Sequence, residues 1–354
     1  MSRFLCDNLR ALEPYVPGEQ PQDKKYIKLN TNESPFPPSP AAVAAAAEQA
    51  EKLNLYSDPS CAPLKSAAAK IYGLLPQNVS CGNGSDEILA NIFRAFCVQK
   101  GVAFADVTYG FYPVLCSLMG ISSTVVPLRE DFTIAVSDYA SLACPVCIAN
   151  PNAQTGIFLP VEKVEELVLQ NKDRLVIIDE AYIDFGGQSA APLVKKYDNL
   201  IVVQTLSKSR SLAGGRVGFC FACKELAAEV EAVRCSLNPY NINRMSMFAA
   251  VAALEDEAYF KSCTAEVRAV REYTFEGLKE LGFEVLPSLS NFLLARRSGT
   301  DGGELYKQLK ERGILVRHFG DKRISDFIRV TIGLHRQMQS FLGAVRQILV
   351  EAKQ

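Results

Sequence analysis

Histidine is nearly missing from this 354-residue chain, which has only His318 and His335. Neither lies in an HExxH pattern or beside clustered carboxylates, so a histidine-built metal site or a serine–histidine triad is not expected. A charge excess is missing too. With 38 basic and 39 acidic residues the net charge is −1, so the overall balance names neither nucleic acid nor an anionic membrane as partner. No segment approaches the roughly eighteen apolar residues of a membrane span. The stretch "MSRFLCDNLRALEPY" is amphipathic and lacks the long apolar core of a signal peptide. A cytoplasmic enzyme is the expectation.

Cysteine, by contrast, is plentiful, with eleven residues. Cys144/Cys147 and Cys220/Cys223 have metal-like spacing, but both pairs lie in apolar, strand-like runs. Residues three apart in a strand point to opposite faces and cannot close on one ion. An odd count without a secretion signal also argues against a disulfide framework. These cysteines read as small buried hydrophobes, and no metal is expected.

From residue 79 short apolar runs alternate with helical patterns: "VSCGN", "EILANIFRAFCV", "VAFADV", "FYPVLCSLMG", "SSTVVPL", "VCIAN", "VEKVEELVLQ", "RLVIIDE", "NLIVVQ", "RVGFCFA". Repeated β–α units imply a mostly parallel sheet covered by helices on both faces. Helical patterns then run from 224 to 281. The stretch 282–354 mixes strands with helices as a smaller α+β unit. The expected division is an arm at 1–30 associated with the small unit, a large domain at 31–250 and a small domain at 251–354.

In an open α/β sheet, ligands gather where strands end. There "VSC" runs into "GNGSDE", "VCIA" into "NPNAQTG", "VII" into "DEAY" and "IVVQTL" into "SKSRS". Glycines and Ser85 at a helix start suit an anion, best a phosphate, although serine also serves there as a plain cap. No lysine follows in the Walker position. Asp179 closes an apolar strand, where an ionised carboxylate needs a cation close by. Lys208 raises the converse question, because a lysine at a buried strand end is costly unless its amine is used. A lysine amine in a semi-apolar pocket can form a Schiff base. Ser207 and Arg216 add donors suited to phosphate oxygens. A phosphate cradle, an acid for a ring nitrogen and a Schiff-base lysine together fit pyridoxal 5'-phosphate.

Over nearly its whole length the chain resembles the aspartate-aminotransferase (fold type I) family. Within it the motifs are most similar to the branch acting on histidinol phosphate. "LNTNESPFPPSP" resembles that branch's LNxNExPxxPxP, "NLYSDPSCAPLKSAAA" its RYPDP segment, and "DVTYGFY" its PTYxxY. "IIDEAYIDF" matches DEAYxxF, "TLSKSRSLAGGRVGF" matches TLSKAFGLAGLRVGY, and "GILVRHF" and "FIRVTIG" match GIxVR and LRxTxG. The resemblance implies an α/β fold with a mostly parallel seven-stranded sheet between helices and a smaller α+β domain. It also implies transamination between histidinol phosphate and 2-oxoglutarate with glutamate as product, in a homodimer. An aromatic aminotransferase and a threonine-phosphate decarboxylase of the same fold remain open at this point.

The implied roles follow residue by residue. Lys208, Asp179 and Tyr182 are catalytic, with Asp179 at the ring nitrogen and Tyr182 at the ring hydroxyl. Tyr109 stacks on the ring, while Ser85, Asp86, Thr205, Ser207 and Arg216 surround the phosphate. Tyr56 reaches the phosphate in the other subunit. Tyr15, Asn32, Arg317 and Arg329 face the substrate. Three positions depart from the family pattern. Where the family has asparagine directly before Pro-Thr-Gly, this chain has Ala153 and then Gln154 for the proline, so Asn152 is the candidate for the ring hydroxyl. Arg210 stands for an aromatic residue and Gly215 for a leucine.

Overall fold

The computed structural model describes residues 2–352. Its strands, in chain order, are β1 (Ile27–Lys28), β2 (Val79–Gly82), β3 (Val102–Ala105), β4 (Ser123–Val126), β5 (Val146–Ala149), β6 (Val176–Asp179) and β7 (Leu200–Thr205). They continue with β8 (Gly218–Ala222), β9 (Glu284–Val285), β10 (Phe292–Arg296), β11 (Ile314–Leu315), β12 (Arg317–His318) and β13 (Phe327–Thr331). Seven of them form one sheet in the order β2-β8-β7-β6-β5-β3-β4. Only β8 runs antiparallel to its neighbours; the other pairings are parallel.

β5, β6 and β7 are buried at every position. This is the pattern of a parallel sheet covered on both faces, and it explains why these strands are continuous apolar runs. The alternation still sorts the side chains. Ile177 and Val203 join one core, and Ile178 and Val202 join the core on the opposite face. Asp179 therefore emerges on the first face and Glu180 on the second.

The helical stretch expected over 224–281 is three helices, Lys224–Leu237, Arg244–Glu255 and Glu257–Glu280. Asn238-Pro239 ends the first, since the residue before proline disfavours helix and the proline lacks an N–H. Asn243 and Asp256 then cap the second and third, accepting from Ser246 N and Tyr259 N. A second sheet, β12-β13-β10-β9, is antiparallel. β1 pairs not with the large sheet but with β11, in parallel.

Among the described residues no helix is long and apolar enough to cross a membrane, and all eleven cysteines are free. Of the spaced cysteine pairs, Cys147 and Cys220 lie within strands, while Cys144 precedes β5 and Cys223 caps a helix.

Candidate active site

The carboxyl ends of β5, β6 and β7 open into a cavity of about 390 Å³. Every residue expected at the site lines it except Asn152 and Tyr56.

At its floor Asp179 is 4 % exposed. Tyr112, fully buried in the first turn of the helix Phe111–Met119, donates its hydroxyl to Asp179 Oδ2 at 2.8 Å. Oδ1 is buried and has no hydrogen-bond partner among the described residues. Burial pushes the Asp179 carboxyl up to about 6, against the Tyr112 hydrogen bond. A buried carboxylate with one free oxygen and no cation in contact is a seat for a positively charged N–H.

Beside it, β2 turns through Gly84 into the helix Ser85–Phe96. Gly84 has φ +86°, and a Cβ there would meet Arg216 Nη2 at 2.5 Å; a Cβ on Gly218 would meet Ser85 N at 2.5 Å. Only glycine lets these backbones and the guanidinium converge. Arg216, itself at φ +52°, places Nη2 3.0 Å from Asp86 Oδ2, and Tyr109 donates its hydroxyl to Oδ1 at 2.9 Å. Thr205 Oγ1 donates to Ser207 Oγ at 2.9 Å. The free N–H groups of the helix start, these hydroxyls and Arg216 make an anion seat.

Lys208 lies in the turn after β7. Its Nζ is 3.4 Å from Thr31 O and 5.8 Å from the centroid of the Tyr182 ring. Tyr182 accepts at its hydroxyl from Asn32 Nδ2 at 3.0 Å. Asn32 is pinned in turn. It donates its N–H to Thr331 Oγ1, accepts that hydroxyl at Oδ1, and accepts from Asn291 Nδ2 at its carbonyl. Its amide thus fixes Tyr182 and is not a free group at the substrate.

The opposite wall is basic. Arg329 Nη1 donates to Ala153 O at 2.9 Å and to Gln154 Oε1 at 3.1 Å, and burial lowers its pKa. Arg317 donates to Val16 O at 3.1 Å and to Pro17 O at 3.2 Å, so it also holds the arm. Tyr15 on that arm packs edge-on against Tyr109 and Phe111, 6.0 and 5.9 Å between centroids.

Asn152 is the correction. It is 3 % exposed and does not line the cavity, because its whole amide is spent on backbone. Nδ2 donates to Val107 O at 2.8 Å, and Oδ1 accepts from Gln154 N at 2.9 Å and Thr155 N at 3.1 Å. Tyr56 lies outside this cavity, 78 % exposed and stacked on Tyr240 at 4.4 Å.

Two residues of the site went unread in the sequence. Tyr112 is the second tyrosine of "DVTYGFY", three positions after Tyr109. That spacing puts it on the neighbouring turn facing the same strand ends. Gln154 was visible only as a replaced proline, with no signal that it would meet Arg329.

The residues present fit pyridoxal phosphate. The unpartnered Asp179 oxygen suits a protonated ring nitrogen, the glycine-lined helix start suits a phosphate, and Lys208 lines the same cavity.

A family model for aminotransferases of class I and II matches residues 24–345. The chain is 49% identical to the histidinol-phosphate aminotransferase of a Marinomonas species over 353 residues, covering 98% of this chain and 100% of that one. It is 47% identical to the enzyme of the same name from Brachyspira hyodysenteriae, covering 99% of each. Among solved structures it is similar to histidinol-phosphate aminotransferase from Sinorhizobium meliloti in complex with pyridoxal-5'-phosphate. The TM-score is 0.89 at 25% identity, covering 98% of this chain and 99% of that one.

Proposed function

Because the chain belongs to the class I and II aminotransferase family, we propose that it is a pyridoxal-phosphate enzyme that transfers the amino group of L-histidinol phosphate to 2-oxoglutarate. The observation that carries this reading is the polarity of one cavity. Its floor holds a buried carboxylate and its wall holds Arg317 and Arg329, none of them in a salt bridge among the described residues, and Lys208 lines the same cavity.

When bound, the cofactor supplies an electron sink for the carbon that carries the transferred amine. Asp179, oriented by Tyr112, would hold the ring nitrogen and favour its protonated form. Ser85, Asp86, Thr205, Ser207 and Arg216 hold the phosphate. Tyr182, fixed by Asn32, offers its hydroxyl to the ring oxygen in place of Asn152. Lys208 Nζ takes the proton from the amine-bearing carbon of the substrate, which makes it the general base. Arg329, with Arg317 beside it, binds the donor's phosphate in one half-reaction and a carboxylate of 2-oxoglutarate in the other. Tyr15 closes that wall and excludes water.

Tyr56, exposed beside Tyr240, serves the phosphate seat of a second subunit, and the enzyme works as a cytoplasmic homodimer. An active monomer in sedimentation would remove this part of the reading.

Lys208→Ala tests the centre. The chain should fold and hold the cofactor without a covalent bond, yet show no turnover of histidinol phosphate. Near-normal transamination would refute the lysine's role. A wild type that prefers phenylalanine as donor, or that releases carbon dioxide from phosphothreonine, would move the substrate assignment within the family.

A further inference from the structure

Gln154 lines the cavity at a position where the family motif has proline. Its Oε1 accepts from Arg329 Nη1 at 3.1 Å. Arg329 is otherwise underused. Nη1 also reaches Ala153 O, Nη2 has only a 3.5 Å contact to Asn30 O, and Nε is buried without a partner. The rings of Phe292 and Phe319 lie 5.0 and 5.2 Å from its guanidinium carbon. Among the described residues no carboxylate forms a salt bridge with it. It is a cation held by carbonyls and rings, with its charge unmatched.

We infer that Gln154 determines substrate specificity: its carboxamide steadies Arg329 through Oε1 and donates from Nε2 to the substrate's anionic group, favouring a phosphate over a carboxylate. The inference rests on the proposed function in one respect, that Arg329 is the arginine that binds the anion.

The chemistry follows from geometry. In the two half-reactions one arginine must receive a phosphate monoester and then a carboxylate. A carboxylate is planar, and its two oxygens satisfy a guanidinium fork. A phosphate monoester has three terminal oxygens arranged tetrahedrally. When two lie on the fork, the third leaves its plane and needs a separate donor. Gln154 Nε2 makes no hydrogen bond among the described residues, and it belongs to the amide whose oxygen already touches the fork. A proline at this position has neither atom. The two ends of the amide also reinforce each other, because accepting from a cation at Oε1 makes the N–H a stronger donor.

The test uses the holoenzyme. Gln154→Met keeps the side chain's length without its polar atoms, and Gln154→Glu sets a carboxylate against Arg329. In a Lys208→Ala background, which binds without turning over, dissociation constants are read from the cofactor absorbance for histidinol phosphate and by calorimetry for 2-oxoglutarate. The KM values for both are measured with Lys208 intact, and melting curves confirm the fold. Gln154→Met is expected to weaken histidinol phosphate about tenfold, the loss of one hydrogen bond to a charged group. It should weaken 2-oxoglutarate less than about threefold. Gln154→Glu is expected to weaken the phosphate ligand by about a hundredfold or more, since it both removes the donor and adds a repelling charge. Equal weakening of both ligands by Gln154→Met, or none, would overturn the inference, as would tighter phosphate binding in Gln154→Glu. Arg329→Leu separates the two claims. If it weakens both ligands while Gln154→Met weakens neither, the inference fails and the proposed function stands. If the wild type neither binds nor transaminates histidinol phosphate, the proposed function fails and takes the inference with it.

Discussion

Asp179 and Glu180 are consecutive acids at the end of one strand, 4 % and 1 % exposed, yet they lie on opposite faces of the sheet. Burial pushes both carboxyls up, Asp179 to about 6 and Glu180 to about 7. On the second face Glu180 is fully provided for. Its Oε1 accepts from Ala190 N at 2.7 Å, and its Oε2 accepts from Ser189 Oγ and from Gln204 Nε2, the latter at 2.8 Å. On the first face Asp179 has Tyr112 on one oxygen, and among the described residues the other oxygen, although buried, has no hydrogen-bond partner. Burial and a raised pKa alone therefore do not single out a functional acid. A group left unsatisfied towards a cavity does, because a structural role would have filled it.

Substitution can break or sharpen this contrast. The largest effect should come from Asp179→Asn, which keeps shape but cannot hold the ring nitrogen protonated; kcat should fall about a hundredfold or more. Glu180→Gln in the same assay should stay within about threefold of the wild type. Equal losses would mean that both acids act structurally.

Tyr112→Phe is a smaller step. It frees Asp179 Oδ2 and removes the largest of the interactions that lower the carboxyl's pKa. The acid limb of cofactor affinity should move to higher pH, and kcat should drop about tenfold, the worth of one hydrogen bond to a charged group. A lower kcat with an unmoved pH profile would reduce Tyr112 to packing.

The smallest effect is on the stability of the cofactor-free chain. Asp179 and Glu180 both titrate above their ordinary 3.8 and 4.5. A carboxyl raised in the folded state favours folding while protonated, below its ordinary value, and that contribution is lost as pH rises through about 6 and 7. At pH 8 the ionised Asp179 costs on the order of 2–3 kcal/mol. Cofactor-free Asp179→Asn should therefore melt a few degrees above the wild type at pH 8, and the gap should close towards pH 4. A gap independent of pH would show that the carboxylate's charge is not the cause.

The strand-end chemistry could be read from the sequence wherever a motif is local. Ser85, Asp179 and Lys208 each stand at or within a few residues of the end of an apolar run and Arg216 stands just before one, and the large sheet was legible for the same reason. Asn152 failed because short asparagine-containing turns consume their own amides, and sequence does not show which of two neighbouring positions faces inward. The meeting of Gln154 with Arg329 spans 175 positions, and Arg317 reaches Pro17 across 300. No local pattern encodes such pairs. The wall of Arg317 and Arg329 was thus assigned by resemblance, whereas the floor could be argued from its residues.

The pairing of β1 with β11 has a consequence for the order in which the molecule is made. Asn32, which holds the Tyr182 hydroxyl, depends on Thr331, 299 residues away. A ribosome delivers the strands of the large sheet first, at about 5–20 residues per second, and they can pair while the rest is still being added. The arm cannot dock until β11 and β13 have emerged, and closing so long a loop is entropically the last event to be rewarded. The growing chain therefore assembles the cofactor's floor early and carries an open, unfinished wall until β11 and β13 have been made. A nascent chain halted before residue 314 would present Lys208, Asp179 and Gln154 without Arg317 and Arg329.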